Sequence, residues 1–277
     1  MKRLALALVT LLFIVVVVTE ARASPHPNPM SYPYQTLNEG ALELEQYADL
    51  VPVRVARENP DGTLDGVMGV RSVLQTELEY GITDKIEAGF YFMLRQAASA
   101  NTPFLRFQGV KQRVRVRLAE EGEWPVDIGL YFEIAELDNE FEFEEKILLS
   151  KRFGDLTLVA NLWVEQEWYY QTDDTKYIYN PTAAANYQVN PKLFVGLEYW
   201  GRGRFDKAND ASDQMGANIN DAPQKAHHFI GPTFLVQSGK VFLALGAYLR
   251  VDSLGDSMQV GDPFGRVWIR TVLGIDL

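Results

Sequence analysis

Hydrophobic and polar residues alternate along most of this chain with a period of two, the spacing of residues that share one face of a β-strand. Leu74, Thr76, Leu78 and Tyr80 alternate with Val73, Gln75, Glu77 and Glu79. Ile86, Ala88, Phe90, Phe92 and Leu94 alternate with Glu87, Gly89, Tyr91, Met93 and Arg95. Val110, Gln112, Val114, Val116 and Leu118 alternate with Lys111, Arg113, Arg115 and Arg117, and Val126 to Ile134 repeats the pattern with Asp127 and Glu133 on the polar face. Further strands are predicted over 156–168, 193–202, 227–236, 241–251 and 264–277, with weaker ones over 41–50, 141–151 and 182–188. About twelve strands of roughly ten residues result, the length a tilted strand needs to cross a bilayer.

Period two alone also describes a soluble sandwich, so the connections decide. Short turns at 81–84, 120–123, 153–155, 189–191 and 238–239 alternate with longer links at 51–69, 96–107, 169–179, 205–226 and 252–263; the link at Leu137-Asp138 is the short exception. Outer-membrane barrels sort their connections in this way, short turns in the periplasm and longer loops outside. The predicted fold is all-β: a closed antiparallel up-and-down transmembrane barrel of about 12 strands, spanning 39–277. Tyr80, Trp124, Phe153 and Tyr187 near one set of strand ends, and Trp168, Tyr169 and Tyr170 near the other, suit aromatic girdles at headgroup depth.

Residues 1–23 read as a cleaved secretory signal: Lys2 and Arg3, the apolar run Leu4–Val18, then Ala21-Arg22-Ala23 before Ser24. The apolar run is short for a spanning helix. Residues 24–38, with Pro25, Pro27, Pro29 and Pro33, read as an extended periplasmic leader. The formal net charge is −11, and loss of the signal removes more positive than negative charge. That balance argues against nucleic-acid partners. The absence of cysteine removes disulfides, thiolate metal sites and cysteine-linked lipid. The expected surroundings are the lipid bilayer of a Gram-negative outer membrane, its insertion machinery and a small solute. No cofactor or metal is expected; the spacing of Asp206, Asp210, Asp213 and Asp221 matches no calcium-loop pattern.

Three stretches carry a resemblance: LEYGITDKIEAGFYF (Leu78–Phe92), NYQVNPKLFVGLEY (Asn186–Tyr199) and HFIGPTF (His228–Phe234), with the G-x-x-E-L-E sequence at Gly40–Glu45. They resemble the transporter-type outer-membrane barrels grouped around the phenol-degradation MetA-pathway proteins. The resemblance implies a barrel that passes small molecules, hydrophobic ones included, and carries over no catalytic residue. It also implies an aromatic last residue, from which Leu277 departs.

If the apolar face meets lipid, the charged face lines the lumen. Its candidate residues are Glu79, Glu87, Lys111, Arg113, Arg115, Arg117, Asp127 and Glu133. A row of four basic residues on one strand suits an anion-attracting stripe; pairing with acids on neighbouring strands is the alternative and is favoured. Folding about Gly122 places Arg117 opposite Asp127 and Lys111 opposite Glu133. Folding about Thr83 places Glu79 opposite Glu87. Arg113 and Arg115 then face the solute, unless the preceding strand supplies acids. Tyr91, Tyr131, Trp163, Phe194, Trp200, Phe242, Tyr248 and Trp268 point inward too, as lumen filling or as an aromatic track. Glu145 falls on the lipid face, which suggests a bulge within 142–146, and Pro232 suggests a local kink.

A channel or facilitator for small solutes, hydrophobic or aromatic ones among them, is the leading functional expectation. A closed structural or interaction barrel comes second, and a lipid-modifying enzyme using His227 and His228 third. No G-x-S-x-G elbow accompanies the histidines, and no catalytic residue is assigned.

Overall fold

The computed structural model describes residues 26–96, 105–171, 174–205, 225–255 and 258–277. The signal segment and the four loop aspartates of 206–221 lie outside the described residues. Thirteen strands form one antiparallel sheet: β1 (Leu42–Glu58), β2 (Leu64–Thr83), β3 (Ile86–Gln96), β4 (Arg106–Arg117), β5 (Asp127–Leu137), β6 (Glu140–Phe153), β7 (Leu156–Tyr169), β8 (Asp174–Tyr179), β9 (Thr182–Asn190), β10 (Leu193–Arg204), β11 (His227–Ser238), β12 (Val241–Arg250) and β13 (Val267–Asp276). Apart from β8 and β9, each pairs with its sequence neighbours, and β13 returns to pair with β1 from Glu43↔Asp276 to Leu50↔Ile269, which closes the barrel.

β8 and β9 are two pieces of one stave. Both pair with β7 and β10, and between them the Asn180 N–H donates to the Trp163 carbonyl while the Pro181 carbonyl accepts from Gly201. Pro181 has no N–H to give the ladder, so the strand breaks there without leaving the wall. Twelve staves therefore make the barrel. Among the described residues there is no helix.

The two faces are inverted relative to a soluble protein. Phe90, Phe132, Ile134, Leu162, Leu197 and Phe234 are exposed on the outside, while Glu77, Glu87, Arg113, Lys146, Glu165 and Glu198 are buried inside. A soluble sandwich would bury the apolar face. Closure leaves no unpaired sheet edge, the condition for β-structure in hydrocarbon. The apolar band is thus the surface a membrane-spanning barrel presents to lipid. Two-residue turns at Gly154-Asp155 and Gly239-Lys240 need a first residue at positive φ, supplied at 62° and 61°. These tight turns mark the periplasmic end.

Several expectations need correction. Residues 51–69 are not a loose link: β1 and β2 continue as a paired hairpin to Glu58↔Leu64, beyond the reach of β13. Val51, Val53 and Val55 keep the alternation and are buried. Asp174–Tyr179, expected as part of a loop, is strand β8. No bulge rescues Glu145, which pairs in regular register with Phe132 and Val164 and remains exposed on the outer face. At Pro232 the pairing with β10 is regular, but the ladder to β12 skips from Ile230↔Leu249 to Thr233↔Gly246.

Two hairpin registers also differ. β4–β5 pairs Arg117 with Gly129, Arg115 with Tyr131 and Arg113 with Glu133. β2–β3 pairs Glu79 with Gly89 and Gly81 with Glu87, with a bulge between Gly81 and Thr83. In each case the fold axis lies one residue later than expected. That moves every partner by two and leaves the faces unchanged. In the first hairpin the reason is local: Asp127 Oδ1 accepts from the Gly122 N–H at 2.7 Å, so Asp127 holds the turn instead of meeting Arg117.

Candidate functional site: a plugged lumen

The register sets which charges meet. Arg113 on β4 reaches across β3 to β2: its Nε donates to Glu77 Oε1 at 2.6 Å, one Nη to Glu87 Oε1 at 2.6 Å, and the other to Glu79. Arg115 also donates to Glu87 Oε1 at 2.6 Å. All five are buried. Arg113 and Arg115 are therefore not the free solute-facing pair expected from the sequence, because β2 and β3 supply acids within reach. Glu79 and Glu87, expected opposite each other, meet through Arg113 and Arg115. Arg117 instead sits at the periplasmic rim against Glu120 at 2.9 Å and the Asp84 carbonyl at 2.8 Å.

Further round the wall, Lys111 bonds Glu133 at 2.9 Å and reaches Glu142 at 3.4 Å. Arg202 bridges Glu165 at 3.1 Å and Glu167 at 2.5 Å. Arg270 grips both carboxylate oxygens of Asp49 at 2.6 Å, the bidentate geometry that gives guanidinium–carboxylate pairs their specificity. The four-residue basic stripe is thus answered by acids, and every one of the eight charged candidates lies inside the barrel or at its lower rim.

Residues 26–37 of the segment expected to lie in the periplasm as a leader are instead inside the barrel. Their apolar side chains need burial and their main-chain polar groups need partners, and the lumen provides both. Met30, Tyr34 and Leu37 are buried. The Met30 N–H points at Glu198, with the carboxylate oxygens at 3.2 and 3.3 Å. Asn161 clamps Tyr32 twice, its Oδ1 accepting from the Tyr32 N–H at 2.7 Å and its Nδ2 donating to the Tyr32 carbonyl at 3.0 Å. The Leu37 N–H donates to Glu87 Oε2 at 2.7 Å. Arg270 and Arg115 lie 3.4 and 3.5 Å from the carbonyls of Pro29 and Pro33. At the upstream end His26 Nε2 lies 2.9 Å from Glu45 Oε1, with the ring against Tyr47 and Phe242. Burial disfavours the charged imidazole, but Glu45 outweighs it and raises His26 above its ordinary value.

Lys146 joins this segment to the wall. Its ammonium lies 3.7 Å from the Tyr32 ring centre, 3.9 Å from Tyr131 and 3.7 Å from Trp163, with Glu144 at 2.5 Å. Three rings and one carboxylate replace the water that a buried ammonium loses. Tyr32 is the wall of this cage that the N-terminal segment contributes.

Above the segment a cavity of about 160 Å³ remains, floored by Met30 and Tyr32. Trp163, Trp200, Phe264 and Trp268 give it aromatic walls, and Arg71, Lys111, Glu142 and Arg202 supply charge. Trp200 stacks on Phe229 at 4.2 Å with nearly parallel planes, and Trp268 meets Trp200 edge-on at 4.9 Å. Phe264 belongs to the link before β13, which is tied down by Asp262–Arg250 at 2.6 Å and by the Gly261 N–H to the Arg54 carbonyl at 2.8 Å. Of the inward aromatics expected, Tyr91, Tyr131, Trp200, Phe242, Tyr248 and Trp268 are buried, Phe194 packs against them, and Trp163 lines the cavity.

His227 and His228 do not form a pair. Successive strand residues point to opposite faces. His227 is buried, 3.2 Å from Asp252, and packs on Phe264; His228 lies 2.8 Å from the Tyr199 hydroxyl. Sequence reasoning missed Met30, Tyr32, Tyr34 and Leu37. The one signal was their presence as large apolar residues among the prolines, unusual for a solvated linker.

No family model matches the chain, and no curated protein matches it in sequence. Among solved structures the chain is similar to an outer membrane channel from Pseudomonas putida F1, with TM-score 0.58 and 11% identity over 88% of this chain and 98% of that one. It is also similar to the NanC porin, with TM-score 0.53 and 10% identity over 86% and 100%. At these identities the likeness is one of fold.

Proposed function

We propose that this chain is an outer-membrane channel for small solutes, hydrophobic and aromatic ones among them. The observation that carries the reading is a closed barrel, apolar outside and charged inside, that encloses an aromatic-walled vestibule. Rings offer an acceptor-poor surface on which a planar apolar solute packs, while the paired charges keep the lumen wettable. That two of the solved structures similar in fold are an outer membrane channel and a porin supports the same reading. Export through the 1–23 signal and handling of the last strand by the insertion machinery belong to this proposal.

Liposomes carrying the folded protein test it. Swelling in isotonic solutions of small aromatic acids and of neutral sugars should exceed that of empty liposomes, with the aromatic solutes faster. A protein that inserts, shifts mobility on heating and passes neither class would instead be a closed structural barrel. The filled lower lumen is the observation that favours this second reading. The opposed histidines give the lipid-enzyme reading no paired site, and phospholipid hydrolysis lost on His227→Ala would revive it.

A further inference from the structure

The N-terminal segment is a bent loop, not a threaded strand. His26 bonds Glu45, close to the start of β1, and Leu37 bonds Glu87, close to the start of β3. Between them Pro29, Met30 and Tyr32 reach the deeper groups Arg270, Glu198 and Asn161. Both ends of the loop therefore lie towards the short-turn mouth. A loop held in this way can leave through that mouth without any chain passing through the barrel.

The grip is also of a releasable kind. The segment adds no rung to the sheet: none of its residues belongs to a strand. The wall groups that hold it keep partners of their own. Glu45 accepts from the Tyr47 hydroxyl and Glu198 from the Tyr248 hydroxyl. Asn161 meets Thr182 at 3.1 Å, Glu87 holds Arg113 and Arg115, and Arg270 holds Asp49. Removal of the loop exposes these groups to water with a hydrogen bond to the wall still in place, so none is left without a partner. On the loop's side, the prolines at 27, 29 and 33 lack N–H donors, which reduces the number of bonds that docking must satisfy.

A pivot is present. Gly40 adopts φ 77°, and its N–H donates to the Gly81 carbonyl at 2.8 Å, which anchors the chain in the wall where β1 begins. Asn38 and Glu39, just before it, are exposed.

We propose that residues 26–37 are a removable plug that closes the vestibule from the periplasmic side and swings out as one loop about residues 38–40. This rests on the channel reading above. Docked, the loop supplies the cavity floor through Met30 and Tyr32; withdrawn, it leaves the vestibule continuous with the periplasmic mouth.

The chain has no cysteine, so a single engineered pair can lock the loop. A Cβ placed on Gly129 lies 3.4 Å from the Tyr34 Cα, close enough for a disulfide between Tyr34→Cys and Gly129→Cys. Planar-bilayer current is recorded from this double variant, oxidised and then reduced, after a heat-dependent mobility shift has shown it folded. In parallel, the single variant Tyr34→Cys, buried when docked and outside the cavity lining, is exposed in the folded protein to a membrane-impermeant maleimide. The proposal expects channel openings at least tenfold rarer in the oxidised double variant, recovery on reduction, and labelling of the single Tyr34→Cys variant without unfolding. Equal current in both forms overturns the plug and leaves the channel reading standing. No current in either form, with the single variant labelled, keeps the removable loop and sinks the channel reading. No current and no labelling overturns the plug.

Discussion

The lower and upper halves of the lumen are built on different principles. Below, charge meets charge: Arg113 is shared among Glu77, Glu79 and Glu87, and a loop of the chain's own N-terminus fills the remaining space. Above, rings meet rings around a cavity, with Trp200, Phe229 and Trp268 packed against one another. The lower half is a structural brace that excludes solute. The upper half has room for one. The difference teaches that a row of basic residues in a barrel is not by itself a conduction path; its meaning depends on the acids that the neighbouring strands bring opposite it.

The comparison breaks first at Arg113. Its replacement by Ala leaves three buried carboxylates without their shared cation, at a cost of about 3–5 kcal/mol. The temperature at which the folded band converts to the unfolded band on SDS gels should fall markedly. Little change would mean that water reaches these acids and that the lower half is not a sealed brace.

The outer face offers the next effect. Leu162 on β7 is exposed on the lipid side, paired with Ile147 on β6. An Arg there should cost about 2–4 kcal/mol if it lies at the depth of the bilayer centre. Equilibrium unfolding in lipid measures it, and a neutral outcome would place this part of the band outside the hydrocarbon.

A smaller effect separates the plug from the wall. Asn161→Ala removes the two bonds to Tyr32, roughly 1–3 kcal/mol in total at about 0.5–1.5 each. Openings should become about tenfold or more frequent while the unit conductance stays the same. A changed unit conductance with unchanged frequency would assign Asn161 to the conduction path instead.

The smallest effect is the dependence on pH. His26 faces Glu45 and Tyr47 on β1, Phe242 on β12, and the nearby charges of Glu79 and Arg115. Its pKa is raised when docked, so the docked state binds the proton more tightly than the withdrawn one. Its contribution to docking is complete below the ordinary value of about 6.5 and is lost as pH rises through the raised value. Openings should therefore grow more frequent towards alkaline pH, and His26→Ala should flatten that response. A response of the opposite sign would assign the control to another group.

Much of this was legible in the sequence. The alternation of Ile86 to Leu94 with Glu87 to Arg95 fixes faces, and faces survive an error of one residue in the position of a turn. Partners do not: the placement of Arg113 against Glu77 depends on a bulge at Gly81–Thr83, and the partner of Arg117 depends on Asp127 being drawn into a turn. Periodicity reports neither the bulge nor the side-chain hydrogen bond that draws Asp127 into the turn. The plug was illegible for another reason. Prolines at 27, 29 and 33 mark a segment that joins no ladder, and beyond the apolar side chains of Met30, Tyr32, Tyr34 and Leu37 nothing local distinguishes a solvated linker from a loop whose partners lie more than a hundred residues away, as Asn161 and Glu198 do from Tyr32 and Met30. The β1–β2 hairpin beyond residue 50 was missed because Pro52 and Pro60 interrupt a pattern that Val51, Val53 and Val55 continue.

The vestibule is closed below by the chain's own N-terminus, and single-channel recording of the wild-type protein beside Asn161→Ala is the sharpest check of that closure. Long closed periods broken by brief openings are expected in the wild type, and the same unit conductance, seen far more often, in the variant. A wild-type channel that stands steadily open would contradict it, because the lumen between Arg113 and Glu198 would then have to be empty of the loop that occupies it.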